Sequence, residues 1–412
     1  ENRWSVGTAV LLFLPFIIWA GFRTTAYGDT AAYIRMFNDA PSDLSQLSSY
    51  TMSQTKDKGY TVFTILFKAI LGESSTLFFL LIAAIQGIVL INIYRKYSCD
   101  YAFSIFLFVA STDYISWMHN GMRQFLAVTI AFACFPLILK KKYLSAIAII
   151  LLAATIHASI LIVLPFIFIA QGEPWNKKTL LFLIGVMLAI VYLDRFTSAI
   201  TTIMENSQYS AEVEDFLNDD GVNLFRVLVY SIPAVMALAF RRRISYYDNP
   251  IINFSINMSI VASGLYIIGY FTSGIMFGRL PIAFVLYSYI SLPWMIERIF
   301  TEKSVQMIKL ICTSYSLALS GKRFSLEYVR QVALEHFGDQ NKVATALRHL
   351  CAQEMQKDLF LNADGTNIFG SNPTLAIQPT EDDFAQKLIT EIAKIDFVYL
   401  IENRSYSEFD LV

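Results

Sequence analysis

Four ionisable side chains lie within or at the ends of long apolar segments: Asp113, Arg123, His157 and Arg279. An arginine can hold an anion through paired N–H donors, whereas an aspartate or a histidine can accept a proton from a substrate hydroxyl. Ionisable groups in such segments are rare and commonly functional. We therefore take these four residues as candidate catalytic residues.

The placement of Arg123 predicts an anionic partner. Arg123 and Gln124 fall in the first turn of a predicted helix, where a cation opposes the helix dipole. The sequence leaves the partner open between the carboxylate of Asp113 and a bound phosphate. Asp113 lies inside the outer end of its own predicted span; a carboxylate costs up to ~3 kcal/mol at mid-membrane and less near the rim. It either has a partner or reaches water at the membrane interface.

Two further groups of polar residues have alternative explanations. Arg23 ends the first apolar segment, and Asp29 and Tyr33 follow at a spacing that puts both on one face of a helix. A solvated segment beside the membrane would explain this pattern equally well. His157 lies at a predicted helix break, although a lone histidine among apolar residues can also be a packing residue. Arg279 stands beside a glycine at the end of another apolar segment.

The elements that must position these residues are membrane helices. The chain of 412 residues is 55% hydrophobic and only 16% charged, with a mean hydropathy of +0.50, whereas soluble domains carry about 25% charged residues. Segments such as 75–94 and 101–118 approach the ~20 residues that cross a bilayer. The sequence predicts an all-α polytopic membrane protein with about ten transmembrane helices.

The distribution of lysine and arginine predicts the topology. Basic clusters stand near residues 95, 140, 177, 241 and 298, and such clusters favour the cytoplasmic side. All of them become cytoplasmic only if 60–72 is re-entrant or interfacial and 143–170 is two short helices that meet near Thr155–His157. The candidate residues then lie on the outer side. Irregular backbone within a membrane requires a protein or water-filled environment, so we expect an outward-facing cavity there.

Three regions are predicted along the chain: a membrane domain over 1–303, a weakly apolar or interfacial segment over 304–320, and a small soluble α+β tail of unknown role over 321–412. In the tail, two helices precede a hairpin across 360–369, which is the order of a winged helix. The tail is acidic, and DNA affinity depends on neutralising phosphates. We therefore expect no nucleic-acid partner.

Several classes of chemistry lack their signatures. The four cysteines are scattered without a CxxC pair, so neither a zinc site nor a disulfide framework is expected. The sequence contains no P-loop, GxSxG, HExxH or DxD motif. We expect no metal, no cofactor, and neither ATP hydrolysis nor a nucleotide-activated donor.

Five short motifs in this order resemble the EpsG-like branch of the Wzy-type O-antigen and exopolysaccharide polymerases. The resemblance covers residues from about 5 to 310, and the order and spacing of the motifs carry it. The motifs are Gly21-Phe22-Arg23 with Gly28-Asp29 and Tyr33, Lys58-Gly59-Tyr60, Met122-Arg123-Gln124, Ile156-His157-Ala158-Ser159 and Gly278-Arg279. The sequence after about 310 does not resemble the family's closing segment, and we expect that tail to be an addition.

The resemblance implies an enzyme that joins oligosaccharide repeat units carried on undecaprenyl diphosphate at the outer face of the bacterial inner membrane. Its implied partners are that lipid-linked oligosaccharide, membrane lipids, a flippase and a chain-length regulator, with no metal. The growing chain is the donor, and a sugar hydroxyl of the incoming unit displaces the lipid diphosphate.

The resemblance also implies residue roles. Arg123, Arg279 and Arg23 would hold the diphosphate, and either His157 or Asp113 would accept the proton. Substrate-binding roles fall on further residues that would line the sugar site: Asp29, Tyr33, Tyr60, Gln124 and Trp117.

Two other functions remain possible from the sequence. A transporter or flippase of lipid-linked oligosaccharides would place polar sites on broken helices near the bilayer midplane, often within internal repeats. No repeat is visible, and the candidate charges lie at one rim, which favours an enzyme. A membrane scaffold that recruits partners through its tail would leave the candidate residues without a shared cavity.

Overall fold

The computed structural model describes residues 4–25, 28–111, 113–207, 210, 213–302, 304–305 and 308–309, and all regular elements in these ranges are helical. The α-helices are α1 (Val6–Gly21), α2 (Thr30–Asp39), α3 (Leu47–Ser53), α4 (Lys58–Leu71), α5 (Ser75–Tyr97), α6 (Tyr101–Ala110), α7 (Met122–Ala133), α8 (Phe135–Leu139), α9 (Tyr143–Ile156), α10 (Val163–Ile169), α11 (Lys177–Val191), α12 (Leu193–Glu205), α13 (Val213–Asn218), α14 (Leu224–Ala239), α15 (Arg241–Ser245), α16 (Pro250–Phe271), α17 (Gly274–Phe277) and α18 (Ile282–Ile299). A π-helix spans Tyr114–Asn120, and 3₁₀ turns span Leu44–Gln46 and Ala158–Ile162.

Four helical stretches of the described chain are long and apolar enough to cross a membrane: α5, α7 together with α8, α16 and α18. Helices α11 and α12 form a pair bent by 99°, which would make a fifth span if the pair crosses as one unit. The chain is therefore an all-α membrane protein in the part described. Several remaining apolar helices, among them α1, α9 and α14, are shorter, so the count of about ten crossings stays a prediction.

The break predicted within 143–170 is present at His157. Helix α9 ends at Ile156, His157 is extended with φ −155° and ψ 115°, and a 3₁₀ turn leads into α10. Pro165 stands in the first turn of α10, where its missing N–H costs no helical hydrogen bond. Within a continuous helix, the missing N–H of Pro165 would leave one backbone hydrogen bond unmade. This favours an interruption of the helix before Pro165.

Two predicted spans have different boundaries from those expected. The segment 101–118 is not one helix, because α6 ends at Ala110 and the π-helix begins at Tyr114. The segment 275–296 contains the short α17, and α18 begins only after Pro281. A π-helix carries extra backbone in each turn and is frequent at functional sites. Hydropathy averages over such interruptions, so the sequence pattern did not reveal them.

The stretch predicted to be re-entrant or interfacial forms most of α4, a helix of 14 residues. At ~1.5 Å per residue it is ~21 Å long, short of the ~30 Å hydrocarbon layer. Lys68 within it is buried, and its ammonium donates hydrogen bonds to the carbonyl oxygens of Phe37, Asn38 and Ala40. This lysine satisfies the C-terminal end of α2 and ties α2 to α4.

Helix α16 is the central helix of the described bundle and packs against α11, α14 and α18. Most of its length is buried. The side-chain amide of Asn257 donates to the carbonyl oxygens of Ala170, Gly172 and Glu173 at 3.0 to 3.1 Å. These bonds satisfy the backbone that follows α10, as buried carbonyl groups require.

The chain divides into one unit over 1–305 and another over 306–412. The predicted tail over 321–412, with its hairpin, lies outside the described residues. Of the predicted segment 304–320, only residues 304–305 and 308–309 are described, and they are helical.

Candidate functional site

Arg123 forms an ion pair with Asp57. Its Nη1 atom lies 2.7 Å from Asp57 Oδ2, and its guanidinium stands over the rings of Tyr33 and Tyr60 at 5.7 and 5.8 Å. The expected anionic partner is thus present, but it is Asp57 and not Asp113. Asp113 accepts its hydrogen bonds from a different set of residues, described below.

Gly59 lets the start of α4 pack closely against the end of α9, just before the break at His157. A Cβ atom at Gly59 would lie 2.1 Å from Thr155 Oγ1, so only glycine allows this approach. The contact brings the chain segment from Asp57 to Tyr60 close to Thr155, two residues before the backbone break at His157. The glycine of the Lys58-Gly59-Tyr60 motif is therefore a packing residue with a direct effect on the site.

Tyr33 links α2 to the end of the π-helix. Its hydroxyl donates to the carbonyl oxygen of Asn120 at 2.7 Å, and its ring lies beside the guanidinium of Arg123. Burial raises the pKa of Tyr33, against the opposing effect of the Arg123 charge. Gly28, at φ +48°, lies so close to Asn120 that a Cβ atom would overlap its side chain. Asp29 precedes the first residue of α2 and interacts electrostatically with Tyr33.

Arg23 binds the backbone at the end of the π-helix. Its Nη1 donates to the carbonyl oxygens of Met118 and His119 at 3.1 and 2.6 Å, and its Nη2 contacts Met122 Sδ at 3.0 Å. The guanidinium also lies 4.6 Å from the ring centre of Phe79. Burial lowers the pKa of Arg23 to about 10, so it stays charged at neutral pH. The terminal nitrogens of Arg23 thus contact the protein itself.

His157 lies within electrostatic range of Arg123 and Arg279, which come from two other segments of the chain. His157 Nδ1 lies 2.8 Å from Ser159 Oγ, and the imidazole interacts electrostatically with Arg123, Arg279 and Lys56. The side chain of Gln124 donates to the carbonyl oxygen of Arg279 at 3.1 Å, which fixes the turn before α18 against α7. The side chain of Arg279 is exposed.

Asp113 is the acceptor of a second, buried cluster. Its Oδ1 accepts from the hydroxyl of Tyr230 at 2.7 Å and from Trp117 Nε1 at 3.2 Å, and its Oδ2 accepts from the hydroxyl of Tyr289 at 2.6 Å. Asp113 is 0% exposed, and its opposite charge is Arg226. This cluster joins the start of the π-helix to α14 and α18.

Arg226 completes the buried cluster. It lies over the rings of Tyr230 and Tyr266, at 5.8 and 5.5 Å from their centres. Trp117, expected to line a sugar site, is instead buried through its bond to Asp113. The structure therefore separates the predicted residues into two sets, with Asp113 and Trp117 outside the contacts that surround Arg123.

Three residues escaped the sequence argument. Asp57 directly precedes the Lys58-Gly59-Tyr60 motif and looks like an ordinary helix cap. Arg226 is a single charge in the apolar stretch 222–240, and the rule that intramembrane charges mark functional or paired positions could have identified it. Lys56, which interacts with His157, carries no distinguishing sequence signal.

In the ranges that the structure describes, no three His, Cys, Asp or Glu side chains are grouped to hold a metal ion. The charged groups around His157 are instead cations. Arginine and lysine suit an anionic ligand, above all a phosphate group, which arginine can bind through two parallel hydrogen bonds.

Comparison with known proteins identifies the family. The model of the EpsG family matches residues 8–328. The match continues past residue 310, so the first part of the segment that we expected to be foreign falls within the family. Searches of curated proteins and of solved structures gave no match. The matched region covers most of the chain, and the protein therefore belongs to the EpsG family.

Proposed function

We propose that this protein is a polysaccharide polymerase, a glycosyltransferase that joins undecaprenyl-diphosphate-linked oligosaccharide repeat units at the outer face of the bacterial inner membrane. Membership of the EpsG family supports this proposal. The observation that carries it is the electrostatic interaction of His157 with Arg123 and Arg279, together with the hydrogen bond from Gln124, next to Arg123, to the carbonyl oxygen of Arg279. These residues come from α7, from the break after α9 and from the turn before α18, so the fold rather than local sequence assembles them.

The proposed reaction requires stabilisation of a leaving diphosphate. A hydroxyl oxygen of the incoming unit attacks the anomeric carbon of the growing chain, and the bond from that carbon to the diphosphate oxygen breaks. Arg123 and Arg279 would stabilise the charge that develops on the diphosphate. The hydroxyl proton would pass to His157 or to a carboxylate. Asp113 is poorly suited, because both of its oxygens already accept hydrogen bonds in a buried cluster.

The remaining predicted residues have supporting positions in this proposal. Tyr33 and Tyr60 flank the guanidinium of Arg123, and Gln124 fixes the turn that carries Arg279. Asp29 stands at the start of α2 beside Tyr33. Arg23 would act by holding the π-helix through its carbonyl groups rather than by binding the diphosphate directly.

A transporter or flippase of lipid-linked oligosaccharides is the second candidate. The observation that favours it is the number of interrupted helices: the break at His157, the π-helix, and the 99° bend between α11 and α12. Transporters often build their sites on discontinuous helices of this kind. The two functions differ in where the unpolymerised substrate accumulates when the protein fails.

The test is complementation of a deletion strain with Arg123→Ala, His157→Ala or Arg279→Ala. Arg242→Ala, an exposed arginine of the basic cluster after α14, is the matched control. We expect each site variant to reduce long-chain glycan by about 100-fold or more at equal protein level. Lipid-linked single units should accumulate within reach of an externally added lectin. Accumulation of lipid-linked single units where the lectin cannot reach them would indicate a flippase. Normal glycan ladders in all three variants would refute the proposed site.

A further inference from the structure

Asp57 has a backbone conformation that directs its carboxylate to Arg123. Its φ and ψ are +55° and +40°, in the left-handed region that is uncommon for residues other than glycine. It occupies the position before α4, where an aspartate usually accepts a hydrogen bond from the helix, yet its side chain forms no such bond. Its Oδ2 lies 2.7 Å from Arg123 Nη1 instead. Unusual backbone geometry of this kind occurs often at functional sites.

The ion pair is asymmetric in its exposure. The side chain of Asp57 is 5% exposed, whereas that of Arg123 is 22% exposed. A ligand approaching from solvent therefore reaches the guanidinium before it reaches the carboxylate. The Nε atom of Arg123 is buried without a hydrogen-bond partner among the described residues, so a ligand from solvent would bind the exposed part of the side chain. An anion bound there would compete with Asp57 for the guanidinium.

The charges around His157 favour a carboxylate as the proton acceptor. His157 interacts with three cationic residues, Arg123, Arg279 and Lys56. Accepting a proton on the imidazole would add a positive charge beside these three cations. Accepting it on a carboxylate would remove a negative charge just as the diphosphate supplies new ones. Asp57 is paired with one of these cations, Arg123, and the nearby Gly59 packs against Thr155, two residues before His157.

We propose that Asp57 is a catalytic carboxylate, paired with Arg123 in this structure and accepting the substrate hydroxyl proton when a diphosphate binds Arg123. The inference rests on the proposed polymerase function. The hydroxyl oxygen forms its bond to the anomeric carbon, the electron pair of the breaking bond stays on the diphosphate oxygen, and the proton moves to Asp57. The diphosphate replaces Asp57 as the anion that neutralises Arg123. His157, oriented by Ser159, then positions the substrate as a neutral hydrogen-bonding group.

The decisive variant is Asp57→Asn in the full-length chain. Asparagine tolerates the left-handed conformation and can still accept a hydrogen bond from Arg123, so only the charge and the basicity are lost. Glu73→Gln is the matched control, because Glu73 pairs with Lys68 at 4.0 Å near the other end of α4. Glycan ladders are measured in complemented cells, and binding of inorganic pyrophosphate is measured on purified protein in lipid nanodiscs.

We expect Asp57→Asn to reduce long-chain glycan by about 100-fold or more, with pyrophosphate bound at least as tightly as by the wild type. Glu73→Gln should leave both unchanged. Arg123→Ala should weaken pyrophosphate binding by about tenfold or more, as loss of a charge-assisted contact predicts.

Two results would overturn the role of Asp57. One is a normal ladder from Asp57→Asn beside a lost ladder from Arg123→Ala, and the other is a joint loss of polymer and pyrophosphate binding in Asp57→Asn. If Asp57→Asn does not fold, Asp57→Gly, which suits the left-handed backbone, is measured in the same way, and its failure to fold would mark Asp57 as structural. Normal ladders in both Arg123→Ala and His157→Ala would instead refute the polymerase function itself.

Discussion

Removing the carboxylate of Asp113 should destabilise the protein through its buried cluster. The substitution Asp113→Ala removes the acceptor of the Tyr230 and Tyr289 hydroxyls and of the Trp117 indole N–H. It also removes the opposite charge of Arg226. All of these contacts lie where Asp113 is 0% exposed, so bulk water cannot replace the lost acceptor without rearrangement.

The structure allows a rough magnitude. Each of the three buried donors left without an acceptor costs about 1–3 kcal/mol, and the loss of the charge that interacts with Arg226 adds to this. The terms overlap, because the side chains can rearrange and the same groups contribute to both. We expect a loss of about 4–6 kcal/mol. At ~2–4 °C per kcal/mol for chains of this size, the unfolding midpoint should fall by about 10–20 °C.

The assay is thermal unfolding of purified protein in detergent, with Tyr289→Phe as the control that removes a single donor. That control should cost about 1 kcal/mol.

The effects of Asp113→Asn and Arg226→Gln on stability should be coupled, because the second substitution removes the charge that the first leaves without its opposite charge. We expect the stability loss of the double variant to be smaller than the sum of the two single losses by more than about 1 kcal/mol. Additivity within about 0.5 kcal/mol would show that the charges of Asp113 and Arg226 are not coupled.

Three further predictions concern the packing around the site. Gly59→Ala should reduce long-chain glycan in cells, because the new Cβ atom would lie 2.1 Å from Thr155 Oγ1. The control Gly7→Ala should leave long-chain glycan unchanged, because nothing lies within 4 Å of its Cβ atom. Lys68→Met should lower the unfolding midpoint, because it leaves the carbonyl groups at the end of α2 without their donor; an unchanged midpoint would contradict that role. Arg23→Gln should lower glycan yield but retain binding of inorganic pyrophosphate, since Arg23 contacts π-helix carbonyls, and lost binding would show a direct role.

The sequence alone determined the class of protein and predicted a charged site. Apolar length and the shortage of charge require helices in a membrane, because the backbone must satisfy its own hydrogen bonds there. The interruption at His157 could be predicted from the distribution of basic clusters, and Pro165 gives it a local cause. The need of Arg123 for an anion followed from its position in the first turn of a helix. These inferences depend only on local sequence and on the general properties of the bilayer.

Only the tertiary structure decided which groups are partners. Asp57 is the anion for Arg123 because α4 and α7 meet at the break after α9, a contact that the absence of a side chain at Gly59 permits. Asp113, equally plausible from sequence, is instead bound by tyrosines of α14 and α18. Ion pairing and hydrogen bonding depend on distances through space, and residues far apart in the chain acquire those distances only when the helices pack.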